Sequence, residues 1–170
     1  MEFEYIEAPP TKWTFQPDKV RNYVESQLQG RVLNLFAGET KLNHNGEIIR
    51  NDIDEDRDAD YHFDATNVDE YFADDSFDTI ILDPPYNVRK SREKYNQELK
   101  LQFTIVRDKC APLVRSNGKV ISLGYDSTGM SKSRGFEKDA IALLNHKGTH
   151  NDTICLIERK ANTSLMDYRE

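Results

Sequence analysis

The apolar positions of this chain change period several times, dividing it into alternating helix-like and strand-like segments. Residues 17–29 open with Pro17-Asp18 and place Val20, Tyr23, Val24 and Leu28 at helical spacing, which predicts a helix ahead of the first strand. Arg31 to Phe36 is a compact apolar run closed by Ala37-Gly38, and Glu47-Ile48-Ile49 leads into Asn51-Asp52; these predict strands one and two. His62-Phe63-Asp64 predicts a short third strand. Phe77 to Leu82 predicts a fourth, stopped at Asp83 by Pro84-Pro85. Lys119 to Gly124 predicts a fifth strand and Thr153 to Ile157 a late one, with helices expected over about 95–114 and 136–146.

Helix and strand in alternation imply an α/β domain: a mostly parallel sheet with helices on both faces. Only Glu39 to Gly46 join Gly38 to the second strand, whereas a crossover between parallel strands usually takes a dozen residues or more. The first crossover helix is therefore expected to be shortened to a turn or an irregular loop. No repeat or linker divides the chain, so one domain over 1–160 and a polar tail over 161–170 are expected.

Composition changes this picture little. At 170 residues with 37% hydrophobic and 31% charged side chains, the chain is polar but carries enough apolar residues to fold. No run of about eighteen apolar residues occurs, and the start Met1-Glu2-Phe3-Glu4 is unlike a signal peptide, so a cytoplasmic protein without a membrane partner is expected. Cys110 and Cys155 lack metal or redox spacing and read as buried small hydrophobes; the histidines show no metal pattern, and no metal is expected.

The charge matters more. A net −7 argues against a phosphate-bearing partner, but residues 52–78 hold twelve acids against one base, Arg57, so the remainder of the chain is net basic. A local basic surface is compatible with that distribution.

The most specific chemical signal is Asp83-Pro84-Pro85-Tyr86 at the end of an apolar strand. Two prolines after a strand turn the aspartate and the first proline carbonyl outward at the carboxyl edge, where open α/β sheets bind ligands. Two acceptors there can grip the N–H groups of an exocyclic base amine and favour a pyramidal nitrogen, while the Tyr86 ring stacks on the base. A proline-stiffened turn with a surface aspartate would give the same four residues.

With these residues the chain resembles the class I S-adenosylmethionine-dependent methyltransferases, in particular their amino-methyltransferase branch, over roughly residues 13–124. The resemblance implies a Rossmann-like methyltransferase fold, S-adenosylmethionine as cofactor, and Asp83, Pro84, Pro85 and Tyr86 as the catalytic motif, with Asp83 also beside the cofactor. Asn34-Leu35-Phe36-Ala37-Gly38 is similar to the family's first motif, which puts Asn34, Phe36, Ala37 and Gly38 against the methionine part of the cofactor. It departs from the pattern at Asn34, where an acid is usual, and at Thr40, where a second glycine is usual. Asp52 matches the acceptor of the ribose hydroxyls. Asp64 and Ala65 match the pair that meets the adenine. Trp13 and Phe15 stand where related enzymes fold a segment over the cofactor, and they would serve equally as core aromatics.

Two basic stretches are expected at the mouth of the site. One supplies Asn87, Arg89, Lys90, Arg92 and Lys94 beside Tyr86, the other Lys132 and Arg134; both would hold nucleic-acid phosphates, or would be solvated loops. The expected reaction is methyl transfer to cytosine N4 or adenine N6. RNA, including ribosomal RNA, is favoured over DNA because DNA enzymes of this branch carry a further target-recognition region and because looped RNA offers unstacked bases. Methylation at cytosine carbon-5 needs a cysteine nucleophile at a strand end, and a dinucleotide dehydrogenase needs G-x-G-x-x-G; both are absent. The alternatives kept are a DNA amino-methyltransferase and a catalytically silent, methyltransferase-like binding subunit.

Overall fold

The computed structural model of the chain describes residues 1–85 and 94–162, without the side chains of 94–101. Its strands are β1 (Glu2–Glu7), β2 (Val32–Asn34), β3 (Ile48–Arg50), β4 (Phe77–Leu82), β5 (Val114–Gly124), β6 (Phe136–Asn145) and β7 (Thr153–Lys160). Two helices, α1 (Asp18–Gln27) and α2 (Lys94–Cys110), complete the main elements. One seven-stranded sheet runs β1-β6-β7-β5-β4-β2-β3. Only β7 is antiparallel to its neighbours, β5 and β6.

Strand parity assigns the core. Ile80 and Leu82 of β4 face the layer that holds Leu33, Val120 and the α2 residues Val106 and Cys110. Ile81 points the opposite way, to Val32, Ile121 and the α1 residues Val20 and Val24. Both faces are thus covered by a helix, and the near-continuous apolar run of β4 follows from burial on both sides. Cys110 and Cys155 are both buried as free thiols. No helix among the described residues is long and apolar enough to cross a membrane.

Three expectations need correction. Residues 136–146 are not a helix: Phe136–Asn145 form β6, which pairs with β7 on one side and with β1 on the other. Ala140, Ala142 and Leu144 alternate into the α1 face, a period of two that pairing on both sides enforces against the helix propensity of Ala and Leu. β1 is a strand beyond those expected. Its Glu-Phe-Glu-Tyr-Ile-Glu pattern leaves five of six residues exposed, so it lacks the signal of a buried strand, and only the register with β6 reveals it.

His62-Phe63-Asp64 is not a ladder strand either; pairing there is a single bridge between Asn51 and Tyr61. The cause is Asn51, whose amide accepts from Phe63 N at 3.0 Å and donates to Phe63 O at 3.1 Å, taking the bonds that a strand would offer. The connection from β2 to β3 contains no helix, as its length predicts, and residues 125–135 between β5 and β6 hold only a 3-10 turn, Lys132–Arg134.

Candidate active site

The carboxyl ends of β2, β3, β4 and β5 open into one cleft of about 970 Å³, roofed by residues 8–15 from the N-terminal segment and flanked by the β6–β7 turn. That volume is at the upper end of the range for small-molecule pockets, enough for a cofactor and part of a second ligand.

Gly38 makes the first wall. Its φ of +56° suits glycine, and a Cβ there would lie 2.9 Å from the Trp13 ring, so the residue must be glycine for conformation and for space. Trp13 therefore walls the cleft, with Arg57 at 5.0 Å and Lys12 at 5.2 Å from its ring centroid. Arg57 also pairs with Glu39 and, at 3.1 Å, with Asp54. Phe15 serves both roles left open for it: it is buried in the α1-side core and lines the cleft.

Asp52 reaches back across the β3 end. Its Oδ2 accepts from Gly38 N at 2.9 Å and its Oδ1 from Asp54 N at 3.0 Å, and each oxygen keeps further acceptor capacity in a residue that lines the cleft. Asp64 caps the 3-10 turn Ala65–Glu70, its Oδ1 accepting from the N–H and hydroxyl of Thr66 at 2.9 and 2.8 Å. Phe36, Ala37, Ala65, Phe63 and Phe103 supply apolar lining between these polar ends.

Asp83 and Pro84 line the cleft where β4 ends, between β5 and β2 in the sheet. Burial pushes the Asp83 carboxyl up to about 7, against the opposing effect of a hydrogen bond from the Thr14 hydroxyl. Its charge in turn helps burial raise the Cys155 thiol to about 12. To one side of Asp83 stand the β2 and β3 ends; to the other stand Tyr125, His146, His150 and Asn151. Asp83 thus stands between two groups of lining residues.

Of the residues expected in the site, Phe36, Ala37, Gly38, Asp52, Asp64, Ala65, Asp83, Pro84 and Pro85 all line this cleft. Asn34 does not: it is fully buried beneath, and its amide has no hydrogen-bond partner among the described residues. Lys132 and Arg134 do not line it either. The chain after β5 descends the sheet before its 3-10 turn; Arg134 pairs with Asp108 at 2.7 Å, and Lys132 borders a separate pocket with Phe136 and Glu158. Tyr86, Asn87, Arg89, Lys90 and Arg92 lie outside the described residues, as does the side chain of Lys94.

Several contributors are not legible in the sequence. Asn51 donates to Leu35 O at 3.1 Å as well as holding Phe63, and so ties the β2 and β3 ends to the Phe63 segment; its place next to Asp52 is the available signal. Thr14 and His146 carry none. His146 links the Ala8 carbonyl at 3.0 Å to the Thr153 hydroxyl at 2.9 Å across the far side of the cleft. Among the described residues, no group of three or more His, Cys, Asp or Glu is placed to hold a metal ion.

No family model and no curated protein matches the sequence. Solved structures do. The chain is similar to TrmN from Thermus thermophilus, with a TM-score of 0.62 and 16% identity over 84% of this chain and 47% of that one, so it spans about half of TrmN's length. It is similar to a SAM-dependent methyltransferase from Archaeoglobus fulgidus, with a TM-score of 0.59 and 11% identity over 84% of this chain and 91% of that one. A third similar structure is the 1,6-didemethyltoxoflavin-N1-methyltransferase of Burkholderia thailandensis, solved with bound S-adenosylhomocysteine, with a TM-score of 0.58 and 12% identity over 88% of this chain and 79% of that one. The chain therefore has a single-domain, Rossmann-like methyltransferase fold, with a mixed seven-stranded sheet.

Proposed function

We propose that the protein is an S-adenosylmethionine-dependent methyltransferase acting on an exocyclic amino group of a nucleic-acid base, cytosine N4 or adenine N6, with RNA favoured over DNA. One observation carries the reading: Asp83 and Pro84 line the cleft at the end of β4, between the β2–β3 residues on one side and the residues that follow β5 on the other. The residues of the β2–β3 side fit the cofactor. Gly38 offers a bare backbone, Asp52 keeps acceptor capacity for neighbouring hydroxyls, and Phe36, Phe63 and Ala65 offer an apolar bed for an adenine. Glu39, Asp52, Asp54 and Asp64 outnumber Lys12 and Arg57 in the lining, a negative balance that suits a cationic ligand.

The cofactor, when bound, supplies an electrophilic methyl group. Asp83 and the Pro84 carbonyl accept from the target amine, draw its lone pair out of conjugation with the ring, and aim it in line. As the nitrogen gains the methyl group it becomes acidic, and the Asp83 carboxylate, with an affinity for protons near neutrality, is placed to take the proton. Tyr86 stacks on the base. RNA is favoured because its loops present bases already unstacked, whereas extruding one from a duplex costs a few kcal/mol.

The test is methyl transfer from labelled S-adenosylmethionine into RNA and single- and double-stranded DNA, followed by nucleoside mass spectrometry. N4-methylcytidine or N6-methyladenosine in RNA is expected. Product in DNA alone would move the substrate assignment, and no product in any of them, with cofactor binding intact, would favour a silent binding subunit.

A further inference from the structure

The connection that follows the glycine turn contains no helix, yet Gly38 is hydrogen-bonded at both its N–H and its carbonyl. In an α/β unit the carbonyls where the crossover helix begins accept from N–H groups one turn further on. Here residues 39–47 contain no helix, and the loop carbonyls must find another donor. That donor is Arg50, the last residue of β3, only 9% exposed.

Its guanidinium donates through one terminal nitrogen to Gly38 O at 2.9 Å, through the other to Thr40 O at 3.0 Å, and through Nε to Asp58 O at 3.1 Å. Its own backbone N–H donates to the Asp60 carboxylate at 2.8 Å, and its carbonyl accepts from the N–H groups of Asp60 and Tyr61. Burial lowers the pKa of this guanidinium, and the charges of Asp58, Asp60 and Asp52 oppose that effect. Part of the acidic run after β3 therefore has a structural purpose: it compensates a buried cation. Gly38 ends up gripped on both sides, its N–H by Asp52 at 2.9 Å and its carbonyl by Arg50 at 2.9 Å.

We infer that Arg50 is a positioning residue that replaces the missing crossover helix, setting the Gly38–Thr40 backbone for the amino-acid tail of the cofactor without touching the nucleoside end. This rests on the reading of the cleft as an S-adenosylmethionine site. Arginine suits the role because one planar fork reaches two loop carbonyls while its Nε reaches a third; a lysine ammonium gathers its donors at a single point and lacks that fixed fork.

Calorimetry with two probes tests it. S-adenosylhomocysteine carries the amino-acid tail; 5′-methylthioadenosine keeps the nucleoside and thioether but lacks that tail. Arg50→Met should weaken S-adenosylhomocysteine binding by about tenfold or more while leaving methylthioadenosine within about twofold of wild type. If Arg50→Met does not fold, Arg50→Lys, which retains the buried charge, must show the same split. Equal losses for both probes would make Arg50 a general stabiliser, and unchanged affinities would make it dispensable; either result overturns the inference. A wild-type protein that binds neither probe would overturn the cofactor reading itself, a result distinguishable from both.

Discussion

On the proposed reading the chemistry centres on Asp83, whose carboxyl burial raises to about 7 where an ordinary aspartate would be ionised. If the carboxylate grips the amine mainly as its nitrogen becomes pyramidal, the contribution belongs to the transition state. Asp83→Ala should then lower the single-turnover rate at least about a hundredfold, some 2.7 kcal/mol, with S-adenosylhomocysteine affinity nearly unchanged. Near wild-type turnover would reduce the motif to a structural turn. Ionisation should also show in kcat/KM, which is expected to rise with pH through about 7 and level off, a limb that Asp83→Asn should lack. The same shift bears on stability with the opposite slope. The folded protein holds this proton more tightly than the unfolded chain, so stability is fully present below about pH 4 and is lost as pH rises through 7. Urea midpoints of wild type and Asp83→Asn across that range should diverge in this sense. At the cofactor end, Asp52→Ala should weaken S-adenosylhomocysteine by about 1–3 kcal/mol by calorimetry, part of it through release of Gly38 N.

Elements in this fold are joined by side chains where backbone pairing stops. Asn51 takes the place of a ladder between the β3 end and the Phe63 segment and also holds Leu35. Asn51→Ala would leave two buried carbonyls and one N–H without partners, so a loss of about 3 kcal/mol is expected in denaturant unfolding, whereas an exposed acid such as Glu55 should be neutral to alanine. The basic stretch that runs into the start of α2 belongs to this scale too. Replacing Arg89, Lys90, Arg92 and Lys94 together by Ala should weaken nucleic-acid binding and flatten its salt dependence, the slope falling by up to about 0.7 for each phosphate of a single strand that is no longer neutralised. An unchanged slope in a fluorescence titration would put the nucleic-acid surface elsewhere. Lys132 and Arg134, away from the cleft, should not alter that slope.

At the scale of the molecule, what can be read from the sequence is whatever depends on near neighbours along the chain. The α1 spacing, the β4 apolar run with its prolines, the glycine after β2 and the short β2–β3 connection all follow from local sterics and period, and the cleft collects the strand-end residues they announce. What only the tertiary structure decided depends on partners distant in sequence. Residues 136–145 are a strand because β1 and β7 flank them, although their composition suits a helix. Phe63 leaves the ladder because an asparagine twelve residues earlier occupies its backbone groups. The 125–135 connection carries Lys132 and Arg134 down the sheet instead of to the mouth of the cleft, and Arg50 becomes the anchor of a loop ten residues before it. Periodicity reports which face of an element is apolar; it carries no information on which distant backbone groups lack a partner, and satisfying those groups is what the folded chain alone determined.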